Sequence, residues 1–149
     1  MKKFLLSLLI LVGLALGLYF VAGQFNTKPP SPIITADGKK VEVAQGSYCW
    51  SGLFSNVCAD TISPPELVKH HAFKPTIVSP ESMIKIEFKK APNKNSLGVN
   101  QWLSNGKTED VPLTNNIFTV PKEKGVYVFD TYARWDKGDS SFAFIIEVR

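Results

Sequence analysis

The sequence predicts a mainly β protein built as an antiparallel β-sandwich, with an N-terminal transmembrane helix and one short helix near residues 64–71. Three observations carry this. Residues 84–89, Ile-Lys-Ile-Glu-Phe-Lys, alternate apolar and charged side chains, the period of a half-buried strand. Turn signals recur at short intervals from Pro75 to Arg149, and no helical period interrupts them. At 149 residues the chain has room for one domain.

The first element is an uncharged, apolar run from Phe4 to Gly23, preceded by Lys2 and Lys3. At about 1.5 Å per residue its 20 residues span roughly 30 Å, the thickness of a bilayer core. Two readings follow for residues 1–23: a signal-anchor that stays in the membrane through residues 4–23, or a signal peptide cut near Val21-Ala22-Gly23. The apolar region of a cleaved signal is about 7–15 residues, so the length favours the anchor. No cysteine lies near the end of the run for lipid attachment. The lysines ahead of the run stay cytoplasmic, which places the rest of the chain outside, as a single-pass membrane protein or as a secreted one.

Residues 24–36 contain Pro29, Pro30 and Pro32 and read as an extended, proline-rich stalk. The extracytoplasmic domain then occupies 37–149, a Cys-loop segment at 37–74 followed by the sandwich at 75–149. In the first part, "KKVEVAQGSYCW" reads as a strand with Val41 and Val43 on one face. "SPPELVKHH" reads as the short helix: Ser63 is its N-cap, and Pro64 and Pro65 fit the first turn. Glu66 suits the positive end of the helix dipole, and His70 and His71 its negative end.

In the second part, Thr76–Ser79 is an edge strand between Pro75 and Pro80. Asn105-Gly106 marks a hairpin, because both residues tolerate positive φ. "NNIFTVP" is a short strand ended by Pro121. "GVYVFDTYARW" and "SSFAFIIEVR" are the longest runs, joined by "DKGD", and Phe142, Phe144, Ile146 and Val148 share a face. About seven strands result.

"EKGVYVF", Glu123 to Phe129, resembles the start of the sixth strand of immunoglobulin-like domains, where an acidic residue, a glycine and a tyrosine precede the inter-sheet cysteine. The resemblance implies an immunoglobulin-like sandwich. Tyr127 would be its corner tyrosine, with a hydroxyl bonded to the backbone upstream. Phe129 stands at the cysteine position, so the likeness is to the disulfide-free members.

The two cysteines, Cys49 and Cys58, are even in number and lie outside the cytoplasm, where disulfides persist. Their spacing is too wide for a Cys-x-x-Cys redox motif and too close for an immunoglobulin inter-sheet bridge. A structural disulfide is the reading preferred. A metal site drawing on Cys49, Cys58, His70 and His71 matches no zinc spacing, and adjacent histidines on a helix do not both reach one ion. The reading assigns no metal and no cofactor. Tyr48-Cys49-Trp50, Cys58-Ala59-Asp60 and Pro64-Pro65-Glu66, ahead of the sandwich, resemble a group of exported or membrane-anchored proteins of Gram-positive bacteria. That resemblance implies export and a paired cysteine loop, and no assigned activity.

Function follows by exclusion. Setting Lys2 and Lys3 aside from 17 basic residues leaves 15 against 13 acidic, a net charge of +2. With no basic block interleaved with aromatics, nucleic-acid binding has no support. No nucleophile–base motif, carboxylate pair or glycine-rich phosphate loop stands out, so the chain reads as a non-enzyme. Binding of an envelope protein, wall polymer or small ligand is expected. The alternatives are an inhibitor or regulator of an exported enzyme and a thiol-redox or metal-handling protein. The candidate ligand-binding residues are Trp50, Asp60 and Glu66 beside the cysteines, and Tyr132, Arg134 and Trp135 at the end of the last hairpin. Trp102 reads as core.

Overall fold

The computed structural model describes residues 2–24, 28–52, 56–104 and 106–149. Helix α1 (Lys2–Gln24) leads into strands β1 (Pro32–Ala36), β2 (Lys39–Lys40), β3 (Ala44–Ser51) and β4 (Asn56–Ala59). Helix α2 (Pro64–His70) follows. Then come β5 (Thr76–Val78), β6 (Met83–Phe88), β7 (Gly98–Trp102), β8 (Thr108–Asp110), β9 (Ile117–Thr119), β10 (Gly125–Trp135) and β11 (Gly138–Val148).

The strands form two sheets. The first has the order β2-β1-β6-β9, the second β4-β3-β11-β10-β7-β8. β11 divides one edge between two partners. β5 runs parallel beside Ile146–Val148, while β3 runs antiparallel beside Gly138–Ala143. Between the sheets, Ile34, Ala36, Ile84, Ile86 and Phe118 of the first meet Val99, Phe129, Phe144 and Ile146 of the second. All are at most 3% exposed. The protein is thus mainly β, a sandwich of two antiparallel-dominated sheets.

Alternation decides which face of the second sheet is dry. Phe142, Phe144 and Ile146 of β11 point inward, so Ala143 and Ile145 point outward. Helix α2 covers that patch: Leu67 and Val68 pack on Ala44 and Ala143, with Val128 and Ile145 alongside. The Glu66 carboxylate accepts hydrogen bonds from the Ser63 hydroxyl at 2.6 Å and the Ser63 backbone N–H at 3.2 Å. Beyond α2, toward the β10–β11 turn, the outer face is open.

Three expectations change. Residues 32–36, read as the end of the stalk, are strand β1, whose Ile34 and Ala36 are fully buried. Pro32 is the first residue of its strand, one of the positions a sheet allows proline. The Cys-loop segment is no prelude to the sandwich, because β3 pairs with the long strand β11 and carries β4 on its other edge. The strand expected around Val41 is broken: Val41 and Val43 lie between β2 and β3, with the Val41 N–H donating to the Ile34 carbonyl at 2.9 Å.

The N-terminal helix departs from expectation in another way. α1 forms, and every described side chain on it, residues 4–19 and Val21, is exposed. Among the described residues, however, no helix is long and apolar enough to cross a membrane. The unbroken run of described side chains, Phe4 to Tyr19, reaches about 24 Å, against roughly 30 Å of hydrocarbon. The expected span also draws on the side chains of Phe20, Ala22 and Gly23, which lie outside the described set. So does Asn105 of the expected hairpin turn, although β7 and β8 do pair antiparallel and Gly106 has φ +77°.

Candidate functional site

β10 carries the site. Its residues Phe129, Thr131, Ala133 and Trp135 point into the sandwich and are buried, whereas Tyr132 and Arg134 point outward and are exposed. Across the sheet, Tyr132 stands between Ser141 and Gly98, and Arg134 stands opposite Asp139. The next partner of Asp139 is Cys49, and that of Cys49 is Cys58. One row of the outer face therefore reads Arg134, Asp139, Cys49, Cys58.

Gly98 shapes the surface beside it. A Cβ at this position would collide with Cζ and the hydroxyl of Tyr132, so the ring lies over the glycine. Tyr132 remains 42% exposed. The ring is thus supported by the sheet on one side and open to solvent on another.

The β6–β7 connection forms the facing wall. Its Asn93 N–H donates to the Arg134 carbonyl at 2.8 Å. The Ser96 hydroxyl donates toward the same carbonyl at 3.0 Å and accepts from the Arg134 N–H at 3.2 Å. These bonds tie the loop to the end of β10. The result is an open groove of about 570 Å³ lined by Ser47, Asn95, Ser96, Tyr132, Arg134 and Asp139, among others. The serine hydroxyls are engaged within the protein: Ser141 donates to the Ser47 carbonyl, and the Ser47 hydroxyl accepts from the Thr61 N–H. The phenol of Tyr132, the guanidinium of Arg134, the carboxylate of Asp139 and the amide of Asn95 have no hydrogen bond or ion pair among the described residues.

A second polar feature sits on the same face. Asp130 is only 6% exposed. Its Oδ1 accepts from the Trp102 indole N–H at 2.5 Å, and both oxygens lie 3.4 Å from the Asn100 amide nitrogen. Burial pushes the Asp130 carboxyl above its ordinary pKa, with the bonds from Trp102 and then Asn100 pulling the other way. Trp102, expected in the core, is half-buried on this outer face.

The expected ligand-binding residues separate into groups. Tyr132 and Arg134 meet in the groove. Trp50 and Trp135 do not: each is 3% exposed, on the inner face of the same end of the sheet. Their rings meet edge to face at 5.7 Å, and Phe88 packs on Trp135 at 5.1 Å. The Trp135 indole N–H donates to the Lys90 carbonyl at 3.0 Å. Trp135 ends its strand without being exposed because the β6–β7 loop closes over it. Asp60 is exposed beyond β4. The Glu66 carboxylate is held by Ser63, whose hydroxyl and then backbone N–H keep its pKa below the ordinary value. Trp50, Asp60 and Glu66 form no common patch, because Trp50 faces inward and Glu66 lies on α2. Reading the sequence missed Asn95, Ser96 and Asp139. Asp139 was within reach, lying in the "DKGD" turn that flanks Trp135.

Cys49 and Cys58 are joined by a disulfide across β3 and β4, with Cα atoms 4.1 Å apart. Neither sulfur is free to act as a thiolate ligand. Among the described residues no three His, Cys, Asp or Glu side chains are grouped to hold a metal ion. The Tyr127 hydroxyl donates to the Glu123 carbonyl, four residues upstream, at 2.8 Å. No known family, curated protein or solved structure matches this chain.

Proposed function

We propose that this chain is a non-catalytic binding domain held at the outer face of a cell membrane by its N-terminal segment. Its ligand, a component of the envelope, occupies the groove at the β10–β11 end of the second sheet. One observation carries the reading: Tyr132, Arg134 and Asp139 stand uncommitted on neighbouring rigid strands, around an open groove. Uncommitted polar groups converging on a concavity are the signature of a binding site.

The chemistry of the groove favours binding over catalysis. Its serine hydroxyls bond to backbone groups, and the two histidines sit at the end of α2, away from the groove lining. A serine without a base in reach has no route to becoming a nucleophile.

The architecture is immunoglobulin-like in this reading. The order β8-β7-β10-β11 corresponds to the C′-C-F-G sheet and the β6–β9 pair to strands B and E. The Tyr127 hydroxyl bond has the form of the tyrosine corner. The groove then occupies one end of the sandwich, where loops gather and where such domains bind. For the membrane, the support is the apolar run Phe4 to Gly23 behind two lysines, together with the exposure of every described side chain of α1. Cleavage of that run would give a secreted form of the same domain.

The test is photo-crosslinking of the full-length chain in its own envelope. A photoreactive phenylalanine analogue is placed at Tyr132 and, separately, at Met83, an exposed position on the other sheet (64% exposed). Adducts from position 132 alone are expected. Equal labelling from both, or none from position 132, refutes the assignment.

A further inference from the structure

We infer that the groove recognises a carbohydrate, with one pyranose ring resting on Tyr132 and its hydroxyls bridging Arg134 and Asp139; this rests on the binding reading above.

The Tyr132 ring is backed by Gly98 and partly open, which makes it a platform for a flat apolar surface. Next to it on the same face, about 7 Å along β10, comes Arg134, with Asp139 directly across on β11. Directly opposed residues of an antiparallel pair lie about 5 Å apart. A fork of N–H donors and an acceptor-only carboxylate therefore stand side by side. Vicinal hydroxyls are each donor and acceptor at once, so one pair can satisfy both groups with charge-assisted bonds. The same sugar ring presents an axial C–H face of the size of a phenol ring. Asn95, which also lines the groove, can donate and accept in the same way.

Other ligand classes match less well. A nucleic acid needs several cations, and Arg134 is balanced by Asp139. A peptide recognised through its backbone needs an unpaired strand edge, whereas β11 is paired on both sides at Asp139, and beyond Tyr132 the other edge of β10 is taken by Asn93 and Ser96, which bond the Arg134 backbone. An apolar small molecule would meet a rim of one guanidinium, one carboxylate and one amide.

The experiment presents the full-length protein, in detergent, to a glycan array of hexoses, N-acetylhexosamines and uronic acids. In parallel it is sedimented with insoluble wall glycan. Retention on short soluble glycans identifies a free saccharide ligand. Retention only on the insoluble fraction identifies the polymer. Either outcome supports the inference if Tyr132→Ala weakens retention about tenfold and Tyr132→Trp keeps it. Arg134→Gln is expected to weaken it by a similar factor, and Met83→Ala to leave it unchanged. Absence of retention in both arms overturns the inference, as does retention that Tyr132→Ala leaves within about twofold. If position 132 crosslinks to an envelope protein while no glycan is retained, the carbohydrate inference falls and the binding reading stands. If neither occurs, both fall.

Discussion

Gly98→Ala is a substitution whose effect on the fold and on the site should diverge. Gly98 lies in β7 with no positive φ, so its backbone accepts alanine. The new Cβ would collide with the far end of the Tyr132 side chain, and the ring must swing away. Tyr132 is 42% exposed, so rather more than half of its surface is covered. If the swing uncovers roughly 60 Å², the loss is about 1.5 kcal/mol. Replacing glycine by alanine in an extended segment returns about 0.5–1 kcal/mol. The net change is a destabilisation of about 0.5–1 kcal/mol, close to the error of a urea titration. Ligand retention should nevertheless fall about as far as in Tyr132→Ala, because the platform is gone. Equilibrium urea unfolding and the retention assay, run on the same preparation, read the two effects. A loss of stability above about 3 kcal/mol would show that the ring is locked into the fold and is no adjustable platform. Unchanged retention with a displaced ring, seen in the tyrosine ring NMR shifts, would show that ligand does not use it.

Three further outcomes are expected. Removing the disulfide with Cys49→Ser and Cys58→Ser frees a loop of ten residues, for which chain entropy gives about 2.7 kcal/mol. The urea midpoint should drop accordingly, and an unchanged midpoint would mean that the β3–β4 hairpin frays independently of global unfolding. Asp130→Asn should alter the pH dependence of stability. The folded pKa of Asp130 is raised, so its favourable contribution is complete below about pH 4 and is lost as pH rises through the folded value. The stability of wild type relative to D130N should therefore decline with rising pH, and a gap constant from pH 3 to 8 would refute that assignment. Trp135→Ala removes a side chain packed on Trp50 and Phe88 and leaves the Lys90 carbonyl unpaired, at a cost of about 3–5 kcal/mol by thermal or urea unfolding. A loss under 1 kcal/mol would show that this end of the sandwich is not well packed.

Sandwich character was legible wherever one face of a strand is dry and the other wet. Ile84, Ile86 and Phe88 alternate with Lys85, Glu87 and Lys89, and β6 forms there. The pattern fails for β1, because Pro29, Pro30 and Pro32 suggest an unpacked extension while only Ile34 and Ala36 reveal the burial. It fails for β3 for another reason. Ala44 and Gly46 are small because α2 and β11 press on that face: Gly46 has no room for a Cβ beside Ser141. Smallness imposed by close packing looks, in sequence, like a weak strand. The site was half legible. The alternation of β10 identifies Tyr132 and Arg134 as a pair. It does not reveal that Trp135 on the same strand is sealed, because its cover comes from the β6–β7 loop, some 40 residues earlier. Nor does a sequence show that Gly98 lies under Tyr132, since that contact depends on the register between β7 and β10.

The measurement that bears most directly on the binding face is amide hydrogen exchange of the full-length chain, with and without its isolated envelope material. The account predicts slowed exchange at residues 93–97 and 136–139, which frame the groove, and no change along β1 and β2 on the far sheet. Protection of the far sheet, or no protection at the groove, would contradict it.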